Sequence, residues 1–242
     1  MPDRPASPVA TAAPTRRERL RNETLADIKR AARRQLIQGG AHACSLRAIA
    51  RDLGMSPPGI YRYFPSLDAL IGAVCDDLYD ELATAIDEAG RLAAAEAPLD
   101  RIAAMARGFR EWSLGHPAEF ALMFGNPVPA VAEYEQAHRS REDAGARFGG
   151  PFLVVMTELW RHRPLPTPPA DELRERLGDA LEPYQQIFGE DLPIEVVYIF
   201  LTGWTRLYGL VALEVFGHLR WAVTDVEPLF ETELATFMRQ LS

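Results

Sequence analysis

The amino-acid sequence predicts an all-α protein with a three-helix head and a larger helical body, and three observations carry that reading. Apolar residues recur at three- and four-residue steps through nearly every segment. Alternating strand patterns are absent. The charge changes sign near residue 65: residues 1–65 hold 12 Lys and Arg against 5 Asp and Glu, and the remainder holds 14 against 29. A basic quarter joined to an acidic remainder predicts a polyanion-binding end that the overall charge of −8 conceals. With 242 residues, 48% of them hydrophobic, the chain is long enough for one domain or two.

Taken in order, residues 1–15 read as a flexible tail, because Met1–Pro14 is rich in proline and alanine and lacks the apolar core of a signal peptide. Arg16, Arg17, Arg19 and Arg21 follow, read either as an arm that binds phosphate or the minor groove or as a solvated tail. Leu20, Thr24, Ile28, Ala31 and Gln35 form the first helical stripe. Leu46, Ile49, Ala50 and Leu53 form the second, with Ser45 as N-cap, and Ile60 and Phe64 mark a third. The head therefore spans 16–65 and the body 66–242. Ser66 caps a long fourth helix with Leu67, Leu70, Ile71, Val74, Leu78, Leu82 and Ile86 on one face. Leu99, Ile102, Met105, Ala106 and Phe109 give a fifth, stopped near Gly115-His116-Pro117. Gly145–Gly150 reads as a loop-like break. Pro164–Pro169 is a clear break, since proline lacks the amide donor and clashes inside a helix. Two strongly apolar helices close the chain near 193–216 and 226–241; Val226, Leu229, Phe230, Leu234, Phe237 and Leu241 share a face of the last.

Ile194–Phe216, the most apolar stretch, is interrupted by Glu195, Arg206 and Glu214 and falls short of the ~18 uninterrupted apolar residues of a spanning helix. Cys44 and Cys75 fit neither a disulfide framework nor a metal-ligand pair. The expectation is a soluble, cytoplasmic protein.

The functional signal lies in residues 45–64. Ser45 starts a short helix, Gly54 stands where the chain turns sharply, and Ser56 caps the next helix with Pro57 and Pro58 in its first turn. Small Ala50, turning Gly54 and apolar Ile60 have the spacing that lets two short helices cross closely, as a helix-turn-helix requires. Ile60 and Phe64 must face the core. Pro57, Pro58, Gly59, Tyr61, Arg62 and Tyr63 are left outward on a helix of seven residues, a pattern suited to a DNA major groove.

Enzymatic readings find no support. His42, His116, His138, His162 and His218 include no pair at helical metal-ligand spacing, and Lys29 is the only lysine, so no phosphate-binding Gly-x-x-x-x-Gly-Lys loop exists. No catalytic residue, metal or cofactor is expected.

Arg47-Ala-Ile-Ala-Arg-Asp-Leu-Gly-Met-Ser-Pro-Pro-Gly-Ile-Tyr-Arg-Tyr-Phe, followed by Pro-Ser-Leu-Asp-Ala-Leu, resembles the DNA-binding signature of the tetracycline-repressor (TetR) family across residues 24–75. The resemblance implies a dimeric, ligand-responsive transcription factor, a repressor acting on a palindromic operator. It also implies that Ser45, Arg47 and Tyr63 touch phosphate while Ser56, Pro57, Gly59, Tyr61 and Arg62 lie on the groove face. The family commonly has a lysine where this chain has Leu67, so one backbone contact is absent or supplied by Arg16–Arg21. His116-Pro117-Ala-Glu-Phe120-Ala-Leu-Met-Phe124-Gly and Trp204-Thr-Arg-Leu-Tyr208-Gly209 resemble the Trp-His-Gly type of TetR regulatory domain, with Tyr208 in the place of the histidine.

Trp112, Phe120, Met123, Phe124, Trp160, Trp204 and Tyr208 are candidates for an apolar effector pocket, and bundle cores use the same residue types. By the same analogy the two C-terminal helices pair with those of a second copy as a four-helix bundle, with Gly203 and Gly209 allowing close approach. A competing reading is a helical ligand-binding or docking protein with non-specific DNA affinity; fragments selected from a genome by the protein separate the two, through a recurring palindrome or its absence.

Overall fold

The computed structural model describes residues 15–40, 44–125, 140–181 and 192–242. Among them every regular element is helical. The expected tail lies outside the described residues apart from Thr15. That residue starts α1 (Arg16–Gly39) through a capping box. The Thr15 amide and hydroxyl donate to Glu18 Oε2 at 2.7 and 2.8 Å, and the Glu18 amide donates back to Thr15 Oγ1 at 3.3 Å. Arg16–Arg21 are thus the first turns of a helix rather than a disordered arm. Leu20, expected on the core stripe, is 52% exposed, because the buried face of α1 begins only near Ile28.

Two compact units divide the chain at Ile71 and Gly72. In the first, α1 is followed by α2 (Leu46–Asp52), α3 (Pro57–Ile60) and the start of α4 (Leu67–Leu92). Ile28, Ala32, Ile49, Ala50, Ile60 and Leu70 reach zero exposure and form its core. Gln35 of α1 braces α2 at both ends: its amide donates to Asp52 Oδ2 at 3.1 Å, and its carbonyl oxygen accepts the Ser45 amide at 3.4 Å.

The second unit holds the rest of α4, α5 (Pro98–Gly115), α6 (Pro117–Phe120), a π-helical turn (Ala121–Gly125), α7 (Ser140–His162), α8 (Ala170–Leu177), α9 (Ile194–Val215) and α10 (Glu227–Leu241). Helix α5 is central, packing against α7, α9 and α10, and Ile102, Met105, Ala106 and Phe109 are buried on it. The break expected at Gly145–Gly150 does not occur, and α7 runs through it with Pro151 inside. Burial of Phe152, Leu153, Val155, Met156 and Leu159 outweighs the hydrogen bond that the proline forfeits.

Gly203 also differs from expectation. A Cβ there would lie 2.7 Å from the Phe237 ring of the same chain, so this glycine admits α10 onto α9 rather than a second subunit; nothing lies within 4 Å of the corresponding position at Gly209. By length and composition α9 is apolar enough to cross a membrane, but Ile194, Val196, Val197, Ile199, Phe200 and Val211 are buried in the body.

Two arginines of α5 fasten the C-terminal helices. Arg110 donates through Nε and Nη2 to both Glu214 oxygens at 2.8 and 2.7 Å, and its guanidinium lies 4.9 Å from the Phe230 ring centre. Arg107 grips Glu231 in the same bidentate way at 2.8 and 2.7 Å. Its hydrogen bonds hold the Glu231 carboxyl below the ordinary carboxylate range.

Because the Arg110–Glu214 side chains are only 15% and 11% exposed, Glu214→Ala leaves a desolvated cation and costs about 3–5 kcal/mol in chemical denaturation, whereas Arg110→Met with Glu214→Leu recovers most of that loss. The Glu231 contribution has the opposite profile from a basic group. A lowered folded-state pKa gives stability present above the unfolded value and lost as pH falls through the folded one. The stability gap between Glu231→Gln and the unmodified chain therefore closes on acidification through and below the ordinary carboxylate range, measured by melting across pH.

Candidate nucleic-acid interface and apolar cavity

The turn between α2 and α3 is built by backbone hydrogen bonds that require a left-handed residue. The Met55 amide donates to the Ala50 carbonyl at 2.8 Å and the Gly54 amide to the Arg51 carbonyl at 3.1 Å, the two bonds of a Schellman motif with Gly54 at φ +65°. Ser45 caps α2 as the sequence predicts, accepting the Ala48 amide at 3.1 Å. Ser56 stands at the N-cap of α3 without a side-chain bond, contrary to expectation. The next two residues are prolines without amides, and the third, Gly59, donates to the Ser56 backbone carbonyl at 2.8 Å instead.

Only four residues of α3 are α-helical, not seven. The chain continues as turns held by the Arg62 amide on the Gly59 carbonyl (3.3 Å) and by the Tyr63 and Phe64 amides on the Ile60 carbonyl (2.9 and 3.0 Å). Tyr61 keeps right-handed helical dihedrals, so the helical phase of the side chains persists. Ile60 at 0% and Phe64 at 7% exposure face the core. Ser56, Pro57, Pro58, Tyr61 and Arg62 stand exposed on the other side, with Gly59 and Tyr63 half-buried. Ser45 and Arg47 are exposed at the start of α2. The guanidinium groups of Arg47 and Arg62 carry no hydrogen bond or ion pair among the described residues. Leu67 is the half-buried first residue of α4, and Ser66 caps that helix by accepting the Ala69 amide at 3.0 Å.

In the body, five of the seven pocket candidates, Phe120, Met123, Phe124, Trp204 and Tyr208, gather around the π turn and α9. Phe120 is wholly buried, 4.8 Å from Phe124, 6.2 Å from Tyr208 and 6.3 Å from Phe109 between ring centres. Trp204 lies 5.2 Å from Phe109 and 5.6 Å from Tyr208. The Tyr208 hydroxyl donates to the Phe124 carbonyl at 3.3 Å and the Tyr79 hydroxyl to the Met123 carbonyl at 3.4 Å, satisfying carbonyls of the π turn. Trp112 stacks on His116 at 4.8 Å. Trp160 sits half-buried on α7, outside these ring contacts.

A cavity of about 300 Å³ opens elsewhere, between α5, α7, α9 and α10. Ile102, Phe152, Phe200, Leu210 and Phe237 line it, and Arg206 and Glu233 are its charged members. Of the seven candidates, Trp204 alone reaches it. Its leucines gave no signal in the sequence, because a helix apolar on several faces does not say which face meets empty space.

Two short helices crossing at a left-handed glycine, with Tyr61 and Arg62 outward, define a helix-turn-helix DNA-binding protein. Residues 28–74 match the family model described as bacterial regulatory proteins, tetR family, and residues 102–237 match the model described as tetracyclin repressor-like, C-terminal domain. The HTH-type transcriptional regulator Rv1816 of Mycobacterium tuberculosis (strain ATCC 25618 / H37Rv) is 33% identical over 204 residues, 84% of this chain and 85% of that one. Mb1846 of Mycobacterium bovis, also named an HTH-type transcriptional regulator, matches to the same extent. The crystal structure of SCO4313, a protein assigned a regulatory role, superposes with a TM-score of 0.71 at 29% identity, covering 92% of this chain and 98% of that one. The chain belongs to the TetR family of helix-turn-helix transcriptional regulators.

Because nothing lies within 4 Å of a Cβ built on Gly54, the obstacle to Gly54→Ala is conformational alone: it costs about 1–2 kcal/mol of head stability. Urea unfolding followed by circular dichroism reads it, and a cost above that range would reveal a packing role for the glycine that the turn geometry does not show.

Proposed function

We propose that the protein is a repressor that binds a palindromic operator as a homodimer and leaves it when a small, largely apolar ligand binds. Residues 16–65 serve as the DNA-binding domain and 66–242 as the regulatory domain, acting in the cytoplasm by binding rather than by catalysis. The observation that carries the reading is the division of α3 and its following turn: Ile60 and Phe64 inward, Tyr61 and Arg62 outward with the arginine unpaired. Tyr61 and Arg62, with Ser56, Pro57, Pro58 and Gly59, enter the major groove; Ser45, Arg47 and Tyr63 take phosphates.

Helices α9 and α10 form the pairing surface. The support is apolar surface that the chain leaves uncovered: Leu213 and Phe216 are 41% and 37% exposed at the end of α9, Trp221 is 87% exposed in the turn to α10, and the position beside Gly209 is open. A two-fold arrangement also answers the small reach of each reading element, since two heads double the contacted sequence. The effector enters the cavity beside Trp204. The layer of Phe120, Phe124 and Tyr208 next to it, with Trp112 and Met123, adjusts to the occupant, while Trp160 borders the same body from α7.

Tyr61→Ala with Arg62→Ala removes base contacts worth about 1–3 kcal/mol each, so operator binding is lost in a mobility shift while circular dichroism and sedimentation remain those of the unmodified protein. Normal binding by that variant overturns the groove assignment. A palindrome recovered from genomic fragments is the operator used; recovery of fragments with no consensus favours the docking protein with non-specific DNA affinity.

A further inference from the structure

Helix α1 continues well beyond the core of the head, and the face it carries outward is basic. Ile28 is buried on α1, and Arg21 and Arg17 precede it by two and three turns at about 3.6 residues per turn, so the three side chains share one face. Thr24 and Leu25, between them, are half-buried, and Arg21 and Arg17 are exposed. The stripe that packs the head therefore turns cationic where packing ends. Arg21 is held there: its guanidinium lies 6.0 Å from the centre of the Tyr63 ring, within cation–π range. Tyr63 directly follows Tyr61 and Arg62, which places Arg21 one ring away from the outward groove residues.

The acids of α1 leave this face uncompensated: Glu23 lies on the far side of the helix from Arg21, and the other two are engaged. Glu18 is bonded to Thr15, and Asp27 pairs with Arg30. The Arg17 guanidinium has no hydrogen bond or ion pair among the described residues. Arg19 is equally exposed but lies two and a half turns before Ile28, on the opposite side of the helix.

We infer that Arg21, braced by the Tyr63 ring, and Arg17 one turn before it form a phosphate-binding ledge on α1 that grips the duplex backbone beside the groove entered by Tyr61 and Arg62. The inference rests on the DNA-binding reading above and extends the contact surface to an element outside the helix-turn-helix.

Salt dependence tests it without knowledge of the operator. Binding to a random-sequence fluorescent duplex is measured across a salt series, and each phosphate contact contributes about 0.9 to the slope of log affinity against log salt. Arg21→Gln and Arg17→Gln each flatten the slope by about 0.9 per bound subunit, Arg21→Lys restores most of it, and Arg19→Gln, with the same change in net charge, leaves it unaltered. Thermal melting of each variant confirms that the fold is intact. An unchanged slope in Arg21→Gln overturns the ledge. So does an equal flattening in Arg19→Gln, which assigns the effect to diffuse charge. If the unmodified protein fails to bind duplex at all, the DNA-binding reading falls first and the ledge with it.

Discussion

The burial of Ile60 and Phe64 is the constraint on which the rest of the head depends. Four helical residues lack the hydrogen bonds to hold themselves in water, so the shape of α3 and its turn is imposed by tertiary contact. Each buried apolar side chain contributes about 1.5–3 kcal/mol, and the two sit one helical turn apart on a segment with no alternative way to hide them. Once they are inside, the helical phase forces Tyr61 and Arg62 out. The outward residues can therefore change to suit a different DNA sequence at little cost to the fold, while the inward pair cannot. Gly54 supplies the other half of the geometry. Its left-handed φ reverses the chain in one residue, so that α3 returns across α2 over Ala50, which has no side chain large enough to hold the two helices apart.

A comparable economy governs the body, at larger scale. Helix α9 lines the core through Val196, Ile199 and Phe200 and borders the cavity through Trp204, Leu210 and Leu213, the last of them still 41% exposed. Helix α10 shares the cavity and meets α9 where Gly203 yields space to Phe237. In the proposed scheme the ligand site and the pairing surface are thus two sides of the same pair of helices. A ligand shifts an equilibrium only by the difference in its affinity for the two states, and a cavity bounded by the pairing helices gives that difference a physical source.

Much of this was legible from residue order alone, for reasons particular residues make clear. Local chemistry wrote the head: Ser45, Gly54 and Ser66 each do locally what their residue types favour, and Ile60 and Phe64 declare their face by spacing. Two of the failures, in α7 and at Gly203, share a cause, a long-range contact overriding a local signal, whereas the one at Ser56 is local. Gly145–Gly150 and Pro151 argue for a break, yet the buried run from Phe152 to Leu159 keeps α7 continuous. Ser56 has the chemistry of a cap, but Pro57 and Pro58 carry no amide and the Gly59 amide goes to the Ser56 backbone carbonyl instead. Gly203 reads as a site of intersubunit approach until Phe237, thirty-four positions later, is found filling the space. The cavity was the least legible feature, because a leucine facing a void and a leucine facing a core are the same letter.

The charge asymmetry visible in the sequence gains meaning from how the cations are used. In the body, Arg91, Arg101, Arg107, Arg110, Arg174 and Arg176 each meet a carboxylate at 2.6–3.1 Å, on Glu88, Glu158, Glu231, Glu214, Asp171 and Glu172 respectively. Their charge is spent on the fold. In the head, the guanidinium groups of Arg16, Arg17, Arg19, Arg34, Arg47, Arg51 and Arg62 have neither hydrogen bond nor ion pair among the described residues. Folding leaves these groups solvated, at no gain to stability and with mutual repulsion between them. A duplex offers the return that the fold does not give, since each phosphate met by an arginine releases condensed counterions. These six body arginines are thus structural, while the seven named in the head stay available to a polyanion.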